Sequence, residues 1–172
     1  MTIRPVVLAL ALATLLGVAP RAGAADGFRD PAKFICDTFE SEGLSSLVAV
    51  PGDYRTAINV FNPSSKVITV LRTFARSALT GPGSTTSDTM MLQPETATVI
   101  DCSTIAGAIF GTPFGQLPGK GFEGFVTLST IEDLDISAIY TSGSEKTGVE
   151  SVQVLIIPKK KGALEIVKIK GR

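Results

Sequence analysis

Few residues in this chain could carry out chemistry, and their spacing argues against most reactions. The 172-residue sequence has no histidine, which removes the usual general base near neutral pH and the commonest metal ligand. Lys146-Thr147-Gly148 matches one element of the penicillin-binding and β-lactamase set. That set also needs a serine three residues before a lysine, and no serine here stands there. Gly119-Lys120-Gly121 lacks the length and the hydroxyl of a phosphate loop. Glu132, Asp133 and Asp135 crowd one turn, and hard cations take oxygen ligands from such clusters. No EF-type spacing surrounds them, and strand alternation would turn Asp135 outward, so a solvated turn is expected. Lys159-Lys160-Lys161 is likewise read as a solvated turn between two strands. Tryptophan is absent and only two tyrosines, Tyr54 and Tyr140, are present, which weakens the case for carbohydrate stacking. The residues nominate no catalytic group, no metal ligand and no cofactor, so the expectation is a protein that is not an enzyme.

The ends of the chain bear on its compartment. Arg4, an apolar run from Val6 to Ala19 and Ala22-Gly23-Ala24 form the three parts of a secretory signal peptide. The run is short of the roughly 20 residues that cross a bilayer. Cleavage after Ala24 would leave 148 residues with 14 basic and 16 acidic side chains. So even a balance suggests neither nucleic acid nor an anionic membrane as partner. The expectation is an exported protein, periplasmic or extracellular. Cys36 and Cys102 are then candidates for a disulfide, since an isolated pair in an oxidising compartment is more often bonded than free.

The elements that must position these residues read as β-strands. Residues 54–76 hold two runs rich in β-branched and aromatic side chains around Asn62-Pro63-Ser64-Ser65, the pattern of a hairpin. Asn62 and Pro63 are assigned the structural work of that turn. Asn59 falls on the face opposite Ile58. Residues 25–43 are ambiguous. Asp30-Pro31 could open a short N-terminal helix that brings Phe34, Ile35 and Phe39 together, or the stretch could be an irregular entry strand. Residues 44–50 form a short apolar run stopped by Pro51-Gly52-Asp53, and residues 78–88 read as a flexible loop. Short strands follow at 89–92 and 96–102, then a helical turn within 102–110. Gly111–Gly124 is a glycine-rich loop that either lies on the surface or lines a site. Further strands fall at 125–129 and 134–140, and residues 152–157 and 164–169 make a closing hairpin. The run 152–157 is apolar on both faces, so it should be central or meet a second surface. The count is eight or nine strands with frequent turns. The expectation is an all-β, immunoglobulin-like antiparallel β-sandwich: signal peptide 1–24, N-terminal extension 25–43, sandwich domain 44–172.

Tyr54-Arg-Thr-Ala-Ile-Asn-Val-Phe-Asn-Pro-Ser64 resembles a group of uncharacterised exported bacterial proteins with a Tyr-x-Thr-x-Ile-Asn-Val-x-Asn-Pro opening. So do Leu92-Gln-Pro-Glu95, Ile100-Asp-Cys-Ser-Thr-Ile105, Lys120-Gly-Phe-Glu-Gly-Phe-Val126 and Leu134-Asp-Ile-Ser-Ala-Ile-Tyr-Thr141, the last similar to their Leu-Asp-Val-x-Ala-Val-Tyr-Thr strand. The resemblance covers about Gly52 to Pro158. It implies a shared small β-sandwich and carries no activity to transfer. A sandwich with exposed edges commonly works by surface recognition. The expected role is therefore a binding or assembly module that contacts a protein or its own copies through strand edges or apolar faces. The alternative is a small-ligand binder that uses Gly111–Gly124 as a lid.

Overall fold

Alternation of apolar and polar side chains decides which way each strand faces. In β2 (Asp53–Phe61), Thr56, Ile58 and Val60 are buried, while the intervening residues are half-buried or exposed. The computed structural model describes residues 25–37, 53–77, 83–117, 121–144 and 148–164. Its other elements are β1 (Ala25–Cys36), β3 (Ile68–Arg76), β4 (Thr85–Leu92), β5 (Ala97–Asp101), α1 (Cys102–Phe110), β6 (Phe122–Thr130), β7 (Asp135–Ser144), β8 (Gly148–Ile156) and β9 (Lys161–Leu164). A short 3-10 turn, Phe114–Gln116, precedes β6.

Two antiparallel sheets form a β-sandwich. One has the order β4-β3-β6-β1-β9, the other β5-β2-β7-β8. Between them lies a single apolar core that includes Phe34, Ile58, Val60, Val70, Phe74, Ile100, Val126, Leu128 and Leu134. Stacked sheets of this kind exclude water because each contributes one apolar face. No helix among the described residues is long and apolar enough to cross a membrane.

Several expectations are corrected. The two runs at 54–76 are not a hairpin: β2 and β3 lie in different sheets, and the Asn62-Pro63 turn carries the chain across the core. The residues expected as a closing hairpin behave alike, since β8 belongs to the four-stranded sheet and β9 pairs with β1. Two strands with one apolar face each can bury those faces by stacking as well as by lying side by side, and spacing along the chain does not separate these outcomes. Residues 165–169 of that expectation lie outside the described residues, as do the signal peptide 1–24 and the apolar run 44–50.

Of the stretch 25–43, the part up to Cys36 is the entry strand rather than a helix, and 38–43 lie outside the described residues. Ala25–Cys36 is β1, held between β6 and β9. Pro31 fits because its missing N–H falls on the side away from β6, where no ladder bond is lost. On that side Arg29 N–H donates to Lys160 C=O at 2.9 Å and Asp37 N–H to Tyr54 C=O at 2.9 Å. The helical turn at 102–110 is a full nine-residue helix. Asp101 caps it, accepting the Thr104 N–H at 2.8 Å. Gly111 closes it at φ 70°, donating its N–H to Gly107 C=O, the left-handed geometry that ends many helices. Part of the expected loop 78–88 is strand, because β4 begins at Thr85.

Asn62 is the fastening of the crossover. Its side chain is fully buried. Nδ2 donates to the carbonyls of Lys66 (2.8 Å), Gln93 (2.9 Å) and Leu92 (3.3 Å), and Oδ1 accepts the Ser64 N–H and hydroxyl, each at 2.9 Å. One amide thereby ties the β2–β3 crossing to the β4–β5 turn, which is how a buried polar group must be satisfied. Pro63 beside it is exposed.

Candidate functional site

The feature that stands out is β8. It was expected to be central or to meet a second surface, and it is an edge strand. It pairs with β7 on one side, and no strand among the described residues pairs with the other. Every residue from Ser151 to Ile156 is exposed, although the run is Ser-Val-Gln-Val-Leu-Ile. Val154 is 58% and Ile156 79% exposed on one face, and Leu155 43% on the other.

The reason lies in β1. A strand below β8 would have to pair along the far side of β1, but β9 does so only from Ala25 to Phe28. Farther along, side chains of the opposite sheet take up that side of β1. Tyr140 Oη donates to Lys33 C=O at 2.8 Å, and Thr56 Oγ1 both donates to Ile35 C=O and accepts its N–H, each at 2.9 Å. The inner face of β8 therefore overhangs the sandwich. It opens on a pocket of about 350 Å³ whose lining includes Lys33, Tyr54, Tyr140, Gln153 and Leu155. Burial pushes the Tyr140 phenol above its ordinary value of 10.0, so it remains a donor at neutral pH.

The free side of β8 can be read from one bond. Ile157 N–H donates to Ile136 C=O at 3.0 Å. Alternation along an antiparallel pair then points the N–H and C=O of Val152, Val154 and Ile156 away from β7. Their side chains continue the outer face of the four-stranded sheet. Cross-strand register sets Asp101, Ala57, Ile139 and Val154 in one row, and Val99, Asn59, Ser137 and Ile156 in the next. Asn59 is half-buried on this face. The outer face of the five-stranded sheet is more polar, with Thr73, Ser87, Thr127 and the Lys33–Glu123 ion pair at 3.2 Å.

Other edges are guarded as soluble proteins usually guard them, by shortness or charge. β5 has five residues and ends in Asp101. β4 carries Asp88, bonded to Arg72 at 2.6 Å, and β9 starts at Lys161. β8 has nine residues and no charge between Ser151 and Ile156.

The candidate chemical groups are dispersed. Asp133 and Asp135 are ion-paired with Lys159 at 2.8 and 3.2 Å, and these bonds hold the Lys159 ammonium above its ordinary value. Lys160 donates its backbone N–H to Asp30 Oδ1 at 2.9 Å. No group of three or more potential metal-ligating side chains meets among the described residues. Lys146-Thr147 and Gly119-Lys120 lie outside them. Within Gly111–Gly124, Phe114 is buried, packs edge-on against Phe122 at 5.8 Å, and carries the Arg55 guanidinium over its ring at 4.5 Å. Cys36 and Cys102 form a disulfide with Cα atoms 5.7 Å apart, joining the end of β1 to the start of α1. The apolar character of 152–157 on both faces is the signal of this edge in the sequence, and it is the same for an overhanging strand as for a central one.

No family model matches this chain, and no curated protein matches it in sequence. A solved structure titled "Crystal Structure of Thermotoga maritima 1070" aligns over 83% of this chain and 100% of its own, with 9% identity and a TM-score of 0.47. A likeness of that degree says nothing about activity.

Proposed function

We propose that this protein is an exported, non-enzymatic β-sandwich that works as a binding or assembly module of the cell envelope or extracellular space. Its working surface is the free edge of β8 together with the apolar strip on the adjoining outer face. The observation that carries this reading is an edge strand with no second strand partner among the described residues, exposing Val152, Val154 and Ile156 on its outer face and Leu155 on its inner one. Such an edge is costly to leave bare, because it templates strand addition by any compatible chain. The Cys36–Cys102 disulfide suits an oxidising compartment.

Hydrogen exchange tests the reading. The amides of Val152, Val154 and Ile156 should exchange fast in the dilute protein and become protected when material from its own envelope is added. Unchanged exchange of these amides under all conditions would remove β8 as the working surface.

The pocket under β8 favours a second reading, a small-ligand site, placed away from the Gly111–Gly124 loop first considered as a lid. Tyr54 and Tyr140 give it aromatic walls, while Lys33 and Gln153 give it polar groups. A ligand held there must raise the melting temperature of the protein, and Gln153→Ala should abolish that rise.

A further inference from the structure

We infer that the occupant of the β8 edge is the β8 strand of a second copy of this chain, paired antiparallel about a two-fold axis at Val154. This rests on the reading of β8 as the working surface and deepens it by naming the partner. A strand added here must match two demands at once. It must set apolar side chains against Val152, Val154 and Ile156 on the outer face, and tolerate Gln153 and Leu155 on the inner one. β8 meets both demands itself. In the register centred on Val154, the two Val154 residues face each other, and Val152 of each copy faces Ile156 of the other. Gln153 of each copy faces Leu155 of the other.

A bulge and a proline set the limits of the pairing. The register shift opposite Ser142/Gly143 passes over Glu150, so the regular outward-pointing residues are Val152, Val154 and Ile156, with Val154 at their midpoint. An axis at Val152 would carry Val154 and Ile156 past the regular stretch of the other copy, and one at Gln153 would carry Ile156 past it. The Val154 register alone among these three pairs all of the outward-pointing residues with one another. Pro158 has no N–H to offer and ends the ladder. Because the two-fold uses one patch twice, the contact closes and cannot propagate into a fibre. The product is a continuous eight-stranded sheet, four strands from each copy, in which both overhanging inner faces gain a neighbour.

Facing residues of a hydrogen-bonded antiparallel pair have Cα atoms roughly 5.5 Å apart, within the span a disulfide bridges. Among the described residues no cysteine is free, so an introduced one acts alone. Val154→Cys should form a covalent dimer on mild oxidation, whereas Gln153→Cys, which faces leucine, should form little covalent dimer. Light scattering of the wild type should show the mass doubling as concentration rises. Val154→Lys should hold the protein at monomer mass with an unchanged circular dichroism spectrum. Met91→Lys, at an exposed residue of β4 in the other sheet, should keep the dimer and shows that loss of dimer reflects the β8 edge and not an added charge.

A wild type that stays monomeric at every concentration overturns self-pairing. If its β8 amides are then protected by added envelope material, the module reading stands with another partner. If they are protected in the isolated monomer, a segment of the same chain covers β8, and both self-pairing and a bare edge are excluded. Cross-linking of Gln153→Cys as readily as Val154→Cys overturns the register and the two-fold at Val154.

Discussion

The Tyr140 hydroxyl donates to the Lys33 carbonyl at 2.8 Å, across 107 residues of chain. Tyr140 belongs to β7 and Lys33 to β1, so the bond joins the two sheets along the side where β1 has no strand partner. Tyr140→Phe leaves that carbonyl with water alone at the rim of the pocket. The expected cost is about 1 kcal/mol, measured by urea denaturation. Because burial raises the phenol above 10.0, the folded state holds the proton more tightly than the unfolded chain. The stabilisation is complete below pH 10 and is lost as pH rises through the folded value, a loss that Tyr140→Phe should not show.

Asn62 leaves more behind when removed. Asn62→Ala strips three carbonyls and the Ser64 N–H of their partner, within a site that is fully buried. Unfolding should become easier by about 3 kcal/mol, and Asn62→Asp should be no better, since a carboxylate cannot donate to those carbonyls.

The disulfide closes a loop with a sequence separation of 66. On the chain-entropy account, its loss through the double variant Cys36→Ala/Cys102→Ala costs about 4 kcal/mol. Thermal melting with and without reductant should give the same loss as the double variant.

Asp30 is fully buried, with Oδ1 bonded to the Lys160 N–H and Oδ2 without a partner among the described residues. Desolvation raises its carboxyl above the ordinary 3.8, with nearby Asp133 adding to the shift and the Lys160 N–H and the Lys159 charge opposing it. The folded state therefore favours the protonated form. The unfolded chain ionises first as pH rises above 3.8, so stability falls from there until the folded group ionises, then levels off. Asp30→Asn should stabilise the protein at neutral pH and make no difference well below 3.8, as read from melting temperatures across that range.

Gly124 faces Phe34 of β1 and Arg76 of β3 in the sheet register. A Cβ there would collide with the Ala75 carbonyl and the Phe34 ring. Gly124→Ala should destabilise the protein by about 3 kcal/mol, the scale of a core overpacked against backbone, in the same denaturation assay.

Local pattern was enough for the material of the fold. The alternation in 54–61 and 134–140 set which side chains face the core, and the spacing of turns indicated a sandwich, because side-chain direction in a strand depends only on parity. The pair Cys36 and Cys102 was visible as a candidate bond, and Asn62 as a structural residue. What the sequence could not decide was which strand lies beside which. β2 and β3 are separated by six residues and still lie in different sheets, as do β8 and β9, because a short turn that crosses the core and one that returns along the same sheet carry the same residues. Ala25–Cys36 became strand only because β6 and β9 offered it partners. The exposure of β8 was decided latest of all. An apolar run looks identical whether another layer covers it or β9 stops short along β1 beneath it, and only the stacking of the two sheets leaves that edge uncovered among the described residues.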